Sequence, residues 1–460
     1  LEAFASASAV AAQATRGVHA GVDSILCRLQ ELRASAADKQ ASSEQASDQR
    51  CDKDYTDTAD EEITAKDVYL AAKAGWDTVL VDRREATPAS GLADTVVIAD
   101  ITADEARARG LVTACDAVLP ACEDESTLAW LSERVPAWGV PLLFDLDAYR
   151  VTSSKLASRR LFAELDVPRP GDYPGCGFPA VVKPSSGSGS EGVTVVSDEQ
   201  GLAAARRALE RGGHEVVVEE YVEGPSLSLE VLAWKGHAVP LQVTGLEFDA
   251  AHDCSRVVAP VAESDLPAAD VRDWESAVAP EVCRALEEAS LRVAGALRLS
   301  GVMDVEVMVS GSEPRLLEID ARLPSQTPTA VYWSSGLNLV EALTRTILDE
   351  APPAVDCTPR RACVYQHVRA GGGMLEVVGE HVMGAAEPLR LAPGFFGADE
   401  ALTDYVPGRS AWAATLIVAA ENVPRARARA DDVVTELARH EGLRAVPQGD
   451  FPNADERGTR

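Results

Sequence analysis

Gly301–Pro328 reads GVMDVEVMVSGSEPRLLEIDARLPSQTP, and this stretch decides how the rest of the chain is read. Two apolar runs flank SGSEP, a turn-forming segment, so the stretch predicts a β-hairpin. Side chains alternate along a strand with period 2. Asp304 and Glu306 therefore share a face of one strand, and Glu318 and Asp320 share a face of its partner. Four carboxylates brought into one small volume repel one another, and each costs several kcal/mol to desolvate without a partner. A hard dication resolves this, because Mg²⁺ takes carboxylate oxygens and shares them with nucleotide phosphates. A solvated face with salt bridges to Arg315 or Arg322 resolves it equally well on this feature alone.

Two stretches upstream bear on that choice. In VVKPSSGSGSEGV, Val181–Val193, a lysine ends a strand and a Gly/Ser loop follows. Backbone N–H groups of such a loop wrap phosphate oxygens while Lys183 supplies a point charge. The stretch is not a G-x-x-x-x-G-K-[ST] loop, and taken alone it reads equally as a hairpin tip. In VVVEEYVEG, Val216–Gly224, an apolar strand runs into Glu219, Glu220, Tyr221 and Val222. That pattern offers backbone hydrogen bonds and an acid to an adenine, or simply ends a strand. Lysine is scarce: 7 of the 43 basic residues. Lys155 and Lys183 both fall in this region.

Organisation along the chain is α/β. Residues 1–62 form an atypical, partly disordered N-terminal segment, with one amphipathic helix expected near 17–34 and an acidic linker after it. From 63 to 150, a helix ending at Gly75 is followed by the short apolar strands DTVLVD, DTVVIAD, CDAVLP and PLLFD, with helices between them. This alternation predicts a parallel sheet covered on both faces. Ligands of such sheets sit beyond the strand C-termini, where Asp82, Asp100 and Glu123 fall. Asp82 and Asp100 are candidates for nucleotide contact, and Glu123 for substrate. Residues 151–350 carry the motifs above, together with a long helix at roughly 267–298. Residues 351–460 read as a small α+β subdomain with a disordered tail.

Composition narrows the function classes. A formal charge of −30 disfavours nucleic acid and anionic membranes as partners and suits cationic ligands. No run of about 18 apolar residues occurs, so no membrane span is expected. Nine scattered cysteines without a C-x-x-C pair imply reduced thiols. The opening LEAFASASAVAAQATRG lacks a basic n-region and a compact h-region, so the expected location is cytoplasmic.

The order Lys155, Lys183 with its small-residue loop, VEEYVEG, Glu306 and EID resembles the ATP-grasp superfamily. EIDARLPSQTPTAVYWSSGLNLVE is similar to the corresponding loop of the ligases of pyrrolysine biosynthesis. So are DAVLP, PLLFDLDAYRVT, SLEV, HDCSRVVAP, GVMDVE, EHVMGAAEPL, GFFGADEALTDYVPG and WAATLI, which spread the likeness over about 63–445. The resemblance implies a parallel-sheet pre-ATP-grasp domain, an ATP-grasp domain of two α+β subdomains and a small C-terminal α+β subdomain. It implies phosphorylation of the carboxylate of 3-methyl-D-ornithine by ATP and attack by the ε-amine of L-lysine, with Mg²⁺ as cofactor and a homo-oligomer as a possible assembly. It also implies that Lys155, Lys183 and the loop Ser185, Ser186, Gly187, Ser188 and Gly189 hold phosphates, that Glu219–Val222 line adenine, and that Glu306, Glu318 and Asp320 bind the metal.

Arg322 follows the metal strand and is placed to stabilise charge on the reacting oxygens. Ser325 and Gln326 offer donors to a substrate carboxylate. Glu123, Glu230, Asp253 and Asp304 offer counter-charges to ammonium groups. Members of the family carry a first strand and a glycine loop of the form G-G-x-L-Q-G, where this chain has YTDTADEEITAKD. Its loss predicts lower stability and threatens activity. Another ATP-grasp amino-acid ligase and a non-catalytic nucleotide-binding remnant are the competing readings.

Overall fold

A computed structural model describes residues 58–187, 192–249, 252–261 and 278–446. The helix expected near 17–34 lies outside the described residues.

The chain opens with α1 (Thr58–Lys73), β1 (Val79–Asp82), β2 (Thr95–Ile98), α2 (Glu105–Val112), α3 (Glu125–Ala137) and α4 (Leu146–Thr152). There follow α5 (Lys155–Glu164), β3 (Ala180–Pro184), β4 (Thr194–Val196), α6 (Glu199–Arg211) and β5 (Val216–Glu220). Next come β6 (Ser226–Trp234), β7 (His237–Phe248), β8 (Cys254–Ala259), α7 (Pro280–Leu297), β9 (Gly301–Ser310) and β10 (Glu313–Asp320). After α8 (Thr327–Ser335) and α9 (Leu339–Leu348) lie β11 (Ala362–Gly371), β12 (Met374–Val377), α10 (His381–Gly384), β13 (Arg390–Pro393), β14 (Glu400–Thr403), β15 (Trp412–Ala420), α11 (Val423–Glu441) and β16 (Arg444–Val446).

Side-chain caps start most of the helices. Asp124 accepts from Thr127 N, Ser154 from Ala157 N, Asp198 from Gly201 N and Asn422 from Arg425 N. Each such cap stabilises its helix by about 1 kcal/mol.

The first sheet is smaller than the sequence predicts. β1 and β2 pair in parallel, but CDAVLP and PLLFD form no strands and meet only through a parallel bridge, Val118 to Leu142. Their backbone bonds are Val118 N to Pro141 O at 2.9 Å and Leu143 N to Val118 O at 2.8 Å. Among the described residues no strand stands between β1 and the Val118 segment, so a longer ladder has nothing to build on.

The dominant sheet runs β10-β9-β6-β7-β8-β11-β15-β14-β13, with β12 and β16 attached to β11. The strands after 351 extend this same sheet. β11 pairs directly with β8, Cys363 opposite Ala259. The long helix expected at roughly 267–298 starts at Pro280 and ends at Leu297. Residues 262–277 lie outside the described ones.

Strand alternation gives the sheet one fully apolar face. Leu227, Leu229, Val231 and Ala233 of β6, Met303, Val305, Val307 and Val309 of β9, and Leu316 and Ile319 of β10 pack into one core with α7. On the other face, α1 joins α8 and α9 in a second core through Ala65, Val68, Tyr69 and Leu70. Trp333 Nε1 donates to Tyr69 Oη at 2.8 Å, Tyr69 Oη donates to Glu400 Oε2 at 2.7 Å, and Asn338 Nδ2 donates to Leu70 O at 2.7 Å. The three-stranded sheet β4-β3-β5 forms a separate small layer backed by α6. Gly224, in the link from β5 to β6, must be glycine: a Cβ there would lie 1.9 Å from Val309 O.

Candidate active site

The polar face of the hairpin follows from register. Glu306 lies opposite Glu318 on β10 and opposite Ser228 on β6. Asp304 lies opposite Asp320 and Glu230. Two rows, Ser228–Glu306–Glu318 and Glu230–Asp304–Asp320, thus place five carboxylates side by side. Strict alternation would put Leu316 and Glu318 on the same face. A β-bulge between them reverses the parity, burying Leu316 in the core and aiming Glu318 at the acids.

Cations converge on these rows. Lys155 is the first residue of α5, and its Nζ lies 2.8 Å from Glu318 Oε1 and donates to Gly187 O at 2.6 Å. Its backbone N–H donates to Ser185 O at 2.7 Å, so the helix start and the base of the Gly/Ser loop are fixed together. Lys183 Nζ lies 2.6 Å from Glu219 Oε1. Arg322 Nη2 lies 2.7 Å from Glu123 Oε1, and its Nε lies 2.7 Å from Asp320 Oδ2.

The electrostatics match this crowding. Burial would lower the Lys155 pKa, but Glu318, Asp320 and Glu306 outweigh it and raise the ammonium above its ordinary value. Burial would raise Glu318, yet Lys155, Lys183 and Arg322 hold it below the usual range. Asp320 is pushed up to about 7 by burial, which the attraction of Arg322 only partly offsets. Burial and the charges of Asp304 and Glu318 push Glu306 well up. Burial, then the Asp304 charge, pushes Glu230 up to about 8, and both of its oxygens lack a hydrogen-bond partner. Asp304 is raised by burial and relieved in part by its contact with Ser228 Oγ.

A cleft of about 2170 Å³ opens beside the hairpin, lined among others by Glu123, Ser186, Gly187, Glu318 and Asp320. Glu306, Glu318 and Asp320 supply only oxygen donors, and Asp320 Oδ1 is buried without a partner. An unpaired oxygen within an acid cluster fits a hard divalent cation.

Several expected roles change. The Glu219 side chain is held between Lys183 and Arg159, so it positions those cations and does not face a base. Glu220 Oε2 accepts from Arg315 Nη1 at 2.6 Å and Gly171 N at 2.9 Å. The Tyr221 N–H donates to Pro179 O at 3.3 Å. Ser185 is buried at the loop base beside Ser154 and Leu156. Ser188 and Gly189 lie outside the described residues.

Asp82 and Asp100 border the cleft, but Asp82 pairs with Arg84 and Asp100 accepts from Thr102, a local use for each carboxylate. Ser325 and Gln326 donate to Glu380 Oε2 at 2.7 and 2.8 Å, which uses the donors expected to reach a substrate carboxylate. Asp253 is engaged by His381 Nδ1 and N, and is walled in by Gly379, whose Cβ would lie 2.0 Å from Asp253 Oδ2. It does not line the cleft. Glu123 lines the cleft while paired to Arg322.

Sequence reasoning missed Arg159 and Glu380. Arg159 lies four residues after Lys155 on a helix, which puts the two on one face, a legible signal. Glu380 is 60 residues beyond Asp320, and only the tertiary fold brings it near. Among the described residues the cysteines form no disulfide, and no helix is long and apolar enough to cross a membrane.

Known proteins resemble this chain in sequence and in fold. The family model of an ATP-grasp domain matches residues 152–326. The biotin carboxylase domain of Hydrogenobacter thermophilus 2-oxoglutarate carboxylase, a dimer solved with MgADP and bicarbonate, superposes with a TM-score of 0.61. It is 15% identical, and the match covers 81% of this chain and 87% of that one, a likeness of fold. An L-amino acid ligase from Bacillus licheniformis superposes with a TM-score of 0.56 at 15% identity, over 82% of this chain and 96% of its own. In sequence, the 3-methyl-D-ornithine–L-lysine ligase of Methanosarcina barkeri is 34% identical over 316 residues, 68% of this chain and 79% of the relative. With an ATP-grasp fold and that identity over two thirds of its length, the chain belongs to the 3-methyl-D-ornithine–L-lysine ligase family of ATP-dependent carboxylate–amine ligases.

Proposed function

We propose that this enzyme joins the carboxylate of 3-methyl-D-ornithine to the ε-amine of L-lysine, the ligation step of pyrrolysine biosynthesis. The observation that carries the proposal is the pairing of Lys155 with Glu318 and of Arg322 with Asp320, the two acids of β10 that line the cleft. In the first step a carboxylate oxygen takes the γ-phosphoryl group of ATP, and ADP leaves. In the second, the amine nitrogen attacks the carbonyl carbon, a C–N bond forms, the C–O bond to phosphate breaks, and the amine gives up a proton.

Mg²⁺, held by Glu306, Glu318 and Asp320, supplies neutralisation of phosphate charge. Lys155 and Lys183 hold phosphate oxygens, with Ser186 and Gly187 in the loop beside them. In the free protein Lys155 is paired with Glu318, so each holds the other in the position its ligand requires. Arg322, oriented by Asp320 and Glu123, stabilises charge on the transferring phosphoryl and acyl oxygens. Glu230, with two unpartnered oxygens, and Asp304 beside it answer the donor's ammonium groups. No protein nucleophile is involved; catalysis is positioning and charge neutralisation. We also assign the first unit, 63–150, to substrate, 151–350 to the nucleotide, and 351–460 to support of the shared sheet.

The test is incubation with ATP, Mg²⁺, L-lysine and either 3-methyl-D-ornithine or D-ornithine, with mass detection of the dipeptide and measurement of ADP. A dipeptide formed only with both amino acids present supports the assignment. ADP release with other amino acids and none with this pair would transfer it to a different ligase chemistry.

A further inference from the structure

The lining of the cleft belongs in part to α1. Thr64, Asp67, Val68 and Ala71, spaced i, i+3, i+4 and i+7, all line it. Of these four residues Asp67 is the acid. It is 7% exposed, and neither carboxylate oxygen has a hydrogen-bond partner. A buried carboxylate in that condition costs several kcal/mol unless a cation joins it or it takes up a proton. Burial does push its carboxyl well above the usual range, although Arg322 and Lys66 both pull it down. Neither cation is placed to satisfy it: Arg322 is engaged by Asp320 and Glu123, and Lys66 Nζ stands 4.9 Å from the centre of the Tyr365 ring.

We infer that Asp67 is a substrate-binding residue, which takes the ε-ammonium group of the acceptor amino acid. The lining fits an aliphatic ammonium: Val68, Ala71 and Leu119 offer apolar contacts for methylenes, and Asp67 offers a counter-charge. The donor has other acids. Its carboxylate must reach the phosphoryl group beside Glu306 and Glu318, and Glu230 and Asp304 stand on the same strand rows as those two. Asp67 comes from a different element on the first-domain side of Arg322, the side that also supplies Glu123. The inference rests on the ligase reading for the identity of the acceptor.

The experiment compares wild type with Asp67→Asn and Asp67→Ala. Calorimetric titration with L-lysine and with norleucine is combined with Michaelis constants for lysine, donor and ATP, and with melting temperature. We expect wild type to bind lysine and not norleucine. Both variants should lose lysine affinity by tenfold or more, with donor and ATP constants within twofold and a melting temperature equal to or above that of wild type. Unchanged lysine binding in the variants overturns the inference, as does a parallel shift of all three constants with a lowered melting temperature. Failure of wild type to make the dipeptide would sink the ligase reading alone. The titrations would still decide Asp67: a wild type that binds lysine and an Asp67→Asn that does not uphold it, and a wild type that binds no cationic amino acid refutes it.

Discussion

Replacing Lys155 by Met removes the one lysine that, among the described residues, pairs with an acid of the two rows, and keeps most of the side-chain volume. At 2.8 Å, the attraction between Lys155 and Glu318 is about 6 kcal/mol at an effective dielectric near 20. Desolvation opposes it, and the Glu318 side chain is one-third exposed, which lowers the net coupling to about 1–3 kcal/mol. Loss of the ammonium also leaves Glu318 facing Glu306, Asp304 and Asp320 with only Lys183 and Arg322, neither of them paired with it, to compensate. Breaking a buried pair from one side in this way costs about 3–5 kcal/mol. The reverse change differs: Glu318→Gln takes one negative charge out of a crowded set, so we expect a loss of only about 0–1 kcal/mol without ligand. The double variant should therefore be more stable than the sum of the single changes predicts, by about 1–3 kcal/mol. Urea denaturation of the four proteins without nucleotide or Mg²⁺ measures this, provided the slopes agree. Additivity within about 0.5 kcal/mol would refute the view that Lys155 neutralises this cluster.

Asp320→Asn should weaken Mn²⁺ binding, followed by electron paramagnetic resonance, by tenfold or more and leave the far-ultraviolet circular dichroism unchanged. Arg322→Ala should lower kcat by about 10²–10³, the usual loss for one group that stabilises transition-state charge, in an ADP-release assay. Glu230 bears on pH dependence. Its pKa rises from 4.5 to about 8 on folding, so its share of stability is complete below about pH 4.5 and lost as pH climbs through 8. Melting temperatures of the ligand-free protein should fall across that window, and Glu230→Gln should flatten the fall. Leu70→Ala, at a side chain with no exposure in the core shared by α1, α8 and α9, should cost about 2–5 kcal/mol by chemical denaturation.

Local chemistry made much of the site legible. Period-2 alternation put Asp304 with Glu306 and Glu318 with Asp320, and the turn residues of SGSEP joined the two strands. Ser154, Asn338 and Asn422 each cap the helix they precede, a local contact between a side chain and the next turn of backbone. Two of the four runs read as strands in the first unit, DTVLVD and DTVVIAD, form a parallel pair, while CDAVLP and PLLFD meet only in a parallel bridge, because a short apolar run needs a neighbouring strand to become a ladder. Val118 and Leu142 have only each other.

The sequence by itself determined which residues carry charge into the hairpin, because the alternation of side chains is a property of the strand alone. Only the tertiary structure decided what those charges meet. The bulge after Leu316 sets the parity that turns Glu318 toward Lys155, and it exists only in the pairing of β10 with β9. The same holds for the EE of VEEYVEG, which ties down Lys183, Arg159 and Arg315, and for Ser325, Gln326 and Asp253, which are engaged by Glu380 and His381. A polar side chain's partner is whatever the packed fold brings within about 3 Å, and separation along the chain carries no record of it.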